Sequence, residues 1–266
     1  MRHDRRDVLR DLGLPDPPWI VGHRGAAASR PENTLASVAA GLDEGVDMIE
    51  VDVQLTADGG LVLVHDWEIE LGGRRWIVEE CDARDLRAAA AGDGSRDDLT
   101  ALPTLDELLG TLPDTVPLNL ELKRRRADTS IWLESLLPAI TARPRTLVSS
   151  FDHALLRAIR VAEPGRQLAP IASRGPHELL RAAEEIGAAT VHCHRRVAFG
   201  DFVTAAATSG WPVLVYTIND AGAARDLFGR GVAGVFTDRP GELRAELRGG
   251  EPGGAPDGAG NGLEAS

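Results

Sequence analysis

The strongest constraint on the fold is a rhythm: short apolar runs return along the chain, separated by segments with helical spacing. The runs fall at Trp19–Gly22, Met48–Leu55, Leu61–Val64, Pro117–Leu122, Thr146–Ser150, Gln167–Ile171, Thr190–Cys193, Pro212–Ile218 and Val232–Phe236. Beyond residue 117 they recur every ~20–30 residues, the length of a strand–helix unit. The clearest helix carries Leu35, Val38, Ala39 and Leu42, opens on Asn33 or Thr34 as its cap and closes at Gly45. A closed barrel of eight parallel strands has no place for a ninth run. Leu61–Val64 follows Met48–Leu55 after only Thr56–Gly60, too short for a parallel crossover, so these two runs form an antiparallel hairpin. Eight strands remain, and the expected fold is an α/β TIM (β/α)₈ barrel.

The expected organisation has three parts. Residues 1–18 are a lead segment, 19–248 the barrel domain, and 249–266 a disordered Gly/Pro-rich tail with nothing to bury. Without that tail the chain approaches the ~250 residues typical of such barrels. The stretch from Trp67 to about Leu102 shows no strand rhythm. It reads as a short excursion over the C-terminal mouth, where barrel loops carry function.

Composition removes several classes of function. A net charge of −12 repels phosphate backbones, and 4% aromatic residues leave no stacking platform for single strands, so no nucleic-acid partner is expected. No apolar run reaches the ~18 residues of a transmembrane segment. Cys81 and Cys193 form no Cys-x-x-Cys pair, which fits a reducing, cytoplasmic setting. Nothing in the sequence fixes the oligomeric state.

The chemistry lies on two strands. In Met48–Leu55, residues Ile49, Val51, Val53 and Leu55 share one face, and Glu50, Asp52 and Gln54 the other. The outer, helix-covered face of a barrel must be apolar, so the carboxylates point inward. Residues two apart on a strand stand roughly 7 Å apart, close enough to share a cation. The run Pro117–Lys123 repeats the pattern, with Asn119, Glu121 and Lys123 inward. Three carboxylates at one mouth repel one another unless a cation sits among them. All-oxygen ligands favour one divalent ion, Mg²⁺ or Ca²⁺, with Mn²⁺ a third candidate. Lys123 is the only lysine of the chain, a compact ammonium suited to a phosphate or carboxylate. His23, inside Gly22-His23-Arg24-Gly25, and His65, at the end of the hairpin, stand at strand ends where a barrel places acid/base groups. His192 and His194 share a strand face but lack a third ligand for zinc.

These residues sit within a longer pattern. Residues 21–66, VGHRGAAASRPENTLASVAAGLDEGVDMIEVDVQLTADGGLVLVHD, resemble the signature region of the glycerophosphodiester phosphodiesterase family. PTLDELL (103–109), LNLELK (118–123), SSF (149–151), YTIND (216–220) and GVFTDRP (234–240) fit the same family in the same order. The resemblance implies a metal-dependent TIM barrel that hydrolyses glycerophosphodiesters to sn-glycerol 3-phosphate and an alcohol. By position it makes His23 and His65 the acid/base pair, Glu50, Asp52 and Glu121 the metal ligands, and Arg24 and Lys123 the phosphate-binding residues.

With a divalent cation and a monoanionic diester, that set is close to neutral, which suits charge growing on phosphoryl oxygens. Two departures bear on the leaving alcohol: Trp67-Glu68-Ile69-Glu70-Leu71 replaces an Arg-Thr-Thr-like stretch, and Tyr216 stands where the family usually has Trp. Trp67, Phe151, His192 and Tyr216 are the candidates for the substrate pocket. The alternatives are a lysophospholipase D, a lyase forming a cyclic phosphate, and a non-catalytic barrel that binds phosphate esters.

Overall fold

The computed structural model describes residues 10–92, 102–199 and 201–249. The first nine residues of the lead segment, the end of the excursion and the tail beyond Gly249 lie outside the described residues. Eight parallel strands close into a barrel: β1 (Trp19–Gly22), β2 (Met48–Leu55), β6 (Leu118–Leu122), β7 (Thr146–Ser150), β8 (Gln167–Ala172), β9 (Val191–His194), β10 (Val213–Tyr216) and β11 (Gly234–Thr237). Closure comes from β1, which pairs with β11 on one side and with β2 on the other. The hairpin partner β3 (Leu61–Leu63) runs antiparallel to the upper half of β2, with Val53 opposite Leu63. Strand ends coincide with the sequence reading or move by one or two residues, and every run becomes a strand.

The strand alternation decides what faces where. Ile49, Val51, Val53, Leu118, Leu120 and Leu122 join the helix side chains Trp132, Leu136, Leu155 and Ile159 in one buried layer outside the barrel. Trp19, Val21, Met48, Leu147, Ala169, Leu214 and Phe236 form the second cluster, inside it. Leu12 and Leu14 of the lead segment pack into that inner cluster.

The excursion differs from its expectation in one respect. It contains a two-stranded sheet, β4 (Glu68–Leu71) with β5 (Arg74–Ile77), turned by Gly72 and Gly73 at φ of 58° and 71°. Two successive positive φ values are what a tight hairpin turn requires, and glycine supplies them without steric cost. A helix follows at Ala83–Gly92. Leu71, Val78, Leu86 and Leu102 close over Val62 of β3, giving the excursion its own small core beside the hairpin.

Candidate active site

The register of β2 on β6 places Asp52 opposite Glu121 and Glu50 opposite Asn119. One carboxylate oxygen from each of Glu50, Asp52 and Glu121 lies within 4.8 Å of the other two. Burial, reinforced by the charge of Asp52, pushes the Glu50 carboxyl up to about 8. Burial and Asp52 push Glu121 upward as well. Asp52 is buried too, yet Lys123 and Arg24 outweigh that burial and hold it below the usual carboxylate range. The Oε1 of Glu50 is buried without a hydrogen-bond partner. A buried acid at this cost is stable as an anion only with a cation beside it. The three acids therefore fit a divalent ion, and the orphaned Glu50 oxygen is free to ligate it.

Two cations brace the acids from the other side. Arg24 Nε stands 3.0 Å from Asp52 Oδ2, and its Nη1 donates to Glu32 at 2.7 Å. Lys123 Nζ lies 3.2 Å from Asp52 Oδ1 and is also paired with Glu121. The loop that delivers Arg24 is sterically dictated. Gly25 sits at φ 87°, and a Cβ there would meet the Ser37 carbonyl carbon at 2.4 Å. Arg24 and Asn33 themselves adopt φ of 53° and 57°. Such conformations cost energy and persist where neighbours over-determine them. Here the Arg24 N–H donates to Glu50 Oε2 at 2.8 Å. The Asn33 amide clamps Asp52, donating to Oδ2 and accepting from its N–H, both at 2.9 Å. Asn33 is therefore not the helix cap. Thr34 is, accepting from Ser37 N at 3.0 Å.

Each candidate histidine is held by a carboxylate through Nδ1. His23 lies 2.6 Å from Asp238 Oδ1, and His65 lies 2.7 Å from Asp66 Oδ1. An ionised carboxylate only accepts, so Nδ1 keeps its proton and Nε2 is the exchanging nitrogen. Asp238 is fixed in turn by Asn219, whose Nδ2 donates at 2.7 Å and whose Oδ1 accepts from the Asp238 N–H at 2.9 Å. Burial lowers the affinity of His23 for its proton, but Asp238 and Glu50 overcome this, and the net shift is upward. Gln54 Nε2 donates to the Val64 and His65 carbonyls at 3.2 and 3.0 Å, pinning the hairpin end. The His65 charge also helps to hold Asp52 down.

The substrate-pocket candidates are less uniform. Phe151 is 48% exposed and edges Tyr216 at 6.3 Å, with Lys123 5.9 Å above its ring. Trp67 is 50% exposed. His192 is placed differently: it is 1% exposed, bonded to Thr190 Oγ1 at 3.0 Å and packed 5.0 Å from Phe236. Burial pushes its pKa down to about 3. It lies inside the barrel rather than at the mouth, and His194 is the ring that edges Tyr216, at 5.7 Å. Sequence reasoning assigned no role to Asp238, Asn219 or the Asp52 clamp of Asn33. Their signal was present in GVFTDRP, YTIND and PENT as polar residues at strand or helix ends.

An eight-stranded barrel with buried acids, cations and braced imidazoles at its C-terminal mouth is an enzyme scaffold, and comparison with known proteins gives its class. The model of the glycerophosphoryl diester phosphodiesterase family matches residues 23–242. A relative of Mycobacterium tuberculosis, named probable glycerophosphodiester phosphodiesterase 1, is 31% identical over 264 residues, covering 89% of this chain and 95% of its own. A glycerophosphodiester phosphodiesterase of Caldanaerobacter subterraneus is 27% identical, covering 84% and 95%. The solved structure of a phosphodiesterase from Oleispira antarctica, in complex with the product sn-glycerol-3-phosphate, superimposes with a TM-score of 0.79 at 26% identity, covering 87% and 97%. The molecule is thus a barrel phosphodiesterase. The chain belongs to the glycerophosphoryl diester phosphodiesterase family.

Proposed function

We propose that this enzyme hydrolyses small glycerophosphodiesters to sn-glycerol 3-phosphate and an alcohol, using a divalent cation, with His23 and His65 as the acid/base pair. The observation that carries this reading is the braced pair of imidazoles beside the three buried acids. The product held by the Oleispira antarctica relative supports it. Glu50, Asp52 and Glu121 would hold Mg²⁺, Ca²⁺ or Mn²⁺, which when bound supplies Lewis-acid charge to the phosphoryl oxygens. Arg24 and Lys123, already facing the acids, neutralise the diester and hold it in place. Nε2 of one histidine accepts a proton from the attacking water, or from a glycerol hydroxyl whose cyclic phosphate a water then opens, and Nε2 of the other, protonated, delivers one to the leaving alkoxide.

The two thiols are unpaired, Cys193 buried and Cys81 half-buried, which is compatible with the cytoplasmic setting we assign. Among the described residues no helix is long and apolar enough to cross a membrane.

The test is incubation with glycerophosphocholine and Mg²⁺ or Ca²⁺, with sn-glycerol 3-phosphate measured enzymatically. A cyclic phosphate product would make it a lyase, and preference for lysophosphatidylcholine a lysophospholipase D. Binding of phosphate esters without turnover would make it a non-catalytic barrel.

A further inference from the structure

A cavity of about 480 Å³ opens at the C-terminal face, between the segment after β9 and the helix Ala221–Gly229. Arg195, Arg196 and Phe199 line it from one side, and Arg230, just past the helix, from the other. Asn219 lines it as well, and the same side chain lines the smaller cavity shared by His23, Arg24 and Asp238. Sharing Asn219, the rim cavity lies next to the site rather than elsewhere on the surface.

Its electrostatics are specific. The guanidiniums of Arg195, Arg196 and Arg230 are exposed and, among the described residues, form no ion pair or side-chain hydrogen bond with an acid. Arg230 instead stacks 5.6 Å over the Phe199 ring, which restricts its rotamers without consuming its charge. Two carboxylates share the cavity, Asp220 and Asp226. Asp220 is already engaged, its Oδ1 accepting from Ala223 N at 2.7 Å as the cap of that helix. Three guanidiniums against these two acids leave the cavity net positive. The charges also reach the mouth: burial, then Arg196 and Arg195, lower the affinity of His194 for its proton, and His194 edges Tyr216.

We propose that this cavity is a second-anion subsite, which receives the far end of a glycerophosphodiester whose alcohol carries its own phosphate. Guanidinium forks match phosphate oxygens in pairs, and a chain with net charge −12 would otherwise repel a doubly anionic substrate. The inference rests on the phosphodiesterase reading above, and the test separates the two.

The test compares kcat/KM for glycerophosphoinositol and glycerophosphoinositol 4-phosphate, which differ only in the second phosphate. The phosphorylated diester is expected to be preferred by about tenfold at low salt, a factor that corresponds to ~1.4 kcal/mol. The preference should shrink at high salt, because exposed charges are screened. In the Arg195→Gln/Arg196→Gln/Arg230→Gln variant, checked for an unchanged Tm, the ratio should fall close to one. Equal kcat/KM for the two substrates in the unmodified enzyme, or an unchanged ratio in the variant, would overturn the subsite. If neither diester is hydrolysed, it is the phosphodiesterase reading that fails. Calorimetric titration of the two intact diesters then gives the same ratio for the subsite.

Discussion

The two walls of the barrel mouth are built on opposite principles. The wall of β1, β2 and β6 is charged, buried and cross-braced: Asp52 alone is gripped by Arg24, Lys123 and Asn33. The wall of β7, β9 and β10 carries Phe151, His194 and Tyr216, joined edge to face and partly open to solvent. Among the described residues the Tyr216 side chain makes one hydrogen bond, from its hydroxyl to the Ala172 carbonyl at 3.2 Å. Charge in a low-dielectric site must be fixed before it can act on a transition state, so the first wall is over-determined. Ring contacts are non-directional by comparison and tolerate exchange of their occupant. Under the proposed function, the first wall would carry the chemistry and the second would choose which alcohol leaves.

The largest effect should come from removing the divalent ion proposed for the charged wall. Exhaustive chelation is expected to abolish turnover, with recovery on adding Mg²⁺ or Ca²⁺; full activity after EDTA would break the metal assignment. Glu50→Gln should also lose activity while raising the Tm of the metal-free protein near neutral pH. The sign follows from the raised Glu50 pKa: the native state resists ionisation that the unfolded chain accepts above about 4.5. Metal-free stability therefore falls as pH rises from that value towards about 8. Removing the acid removes this loss.

Next in size are the histidines. His23→Ala and His65→Ala should each lower kcat by roughly 10²–10⁴-fold with the fold intact, as loss of a positioned acid or base does. Weaker binding with kcat preserved would count against acid/base roles.

The third prediction sharpens the comparison within the charged wall, since the two histidines are braced unequally. Asp238 is half-buried and tied to Asn219, whereas Asp66 is largely exposed. Asp238→Asn should shift the limb of kcat/KM that reports His23 to lower pH and reduce its maximum about tenfold or more, the effect of losing a partner that fixes tautomer and charge. Asp66→Asn should do less. The sign for stability is also defined. Asp238 holds the His23 pKa above its ordinary 6.5, so their pairing stabilises the fold fully below that value. It is lost as pH rises through the native pKa of His23. The Tm gap between the parent protein and Asp238→Asn should therefore narrow as pH rises above about 6.5.

What the sequence made legible follows the same division. Glu50, Asp52 and Glu121 could be read directly because period-two alternation with apolar neighbours allows polar residues only the inner face. Asp238 could not: it is 215 positions from His23 in the chain, and a residue just beyond a strand has no periodic signature. The β4–β5 hairpin was missed because the alternation of Glu68-Ile69-Glu70-Leu71 lasts only four residues and Arg74-Arg75-Trp76-Ile77 does not repeat it, although Gly72-Gly73 marks the turn between them. His192 and His194 share a face, and only the register, with His192 opposite Leu214 and His194 opposite Tyr216, tells which ring lies deeper.

The smallest effect is expected on the aromatic wall. Between glycerophosphocholine and glycerophosphoethanolamine the difference in kcat/KM should stay under about tenfold, because ~1.4 kcal/mol corresponds to that factor and a cation over an exposed ring contributes only ~0.5–1 kcal/mol. The rings of Phe151 and Tyr216 meet at 82°, so they offer one open face and one edge rather than an enclosing cage. The Tyr216→Trp variant should strengthen choline binding modestly, through a better ring quadrupole and loss of the hydroxyl that bonds Ala172. The change should appear in KM with kcat nearly constant, as expected for a ring that the proposed function sets against the alcohol rather than the reacting phosphorus. Lysophosphatidylcholine should be the poorest of the three substrates. The described part of the excursion buries Leu71, Val78 and Leu86 in its own core, and Trp67 is the one large apolar side chain it leaves exposed, too little to hold an acyl chain. A higher kcat/KM for the lyso-lipid than for glycerophosphocholine would place an acyl-binding surface on this wall and end its description as a tolerant one.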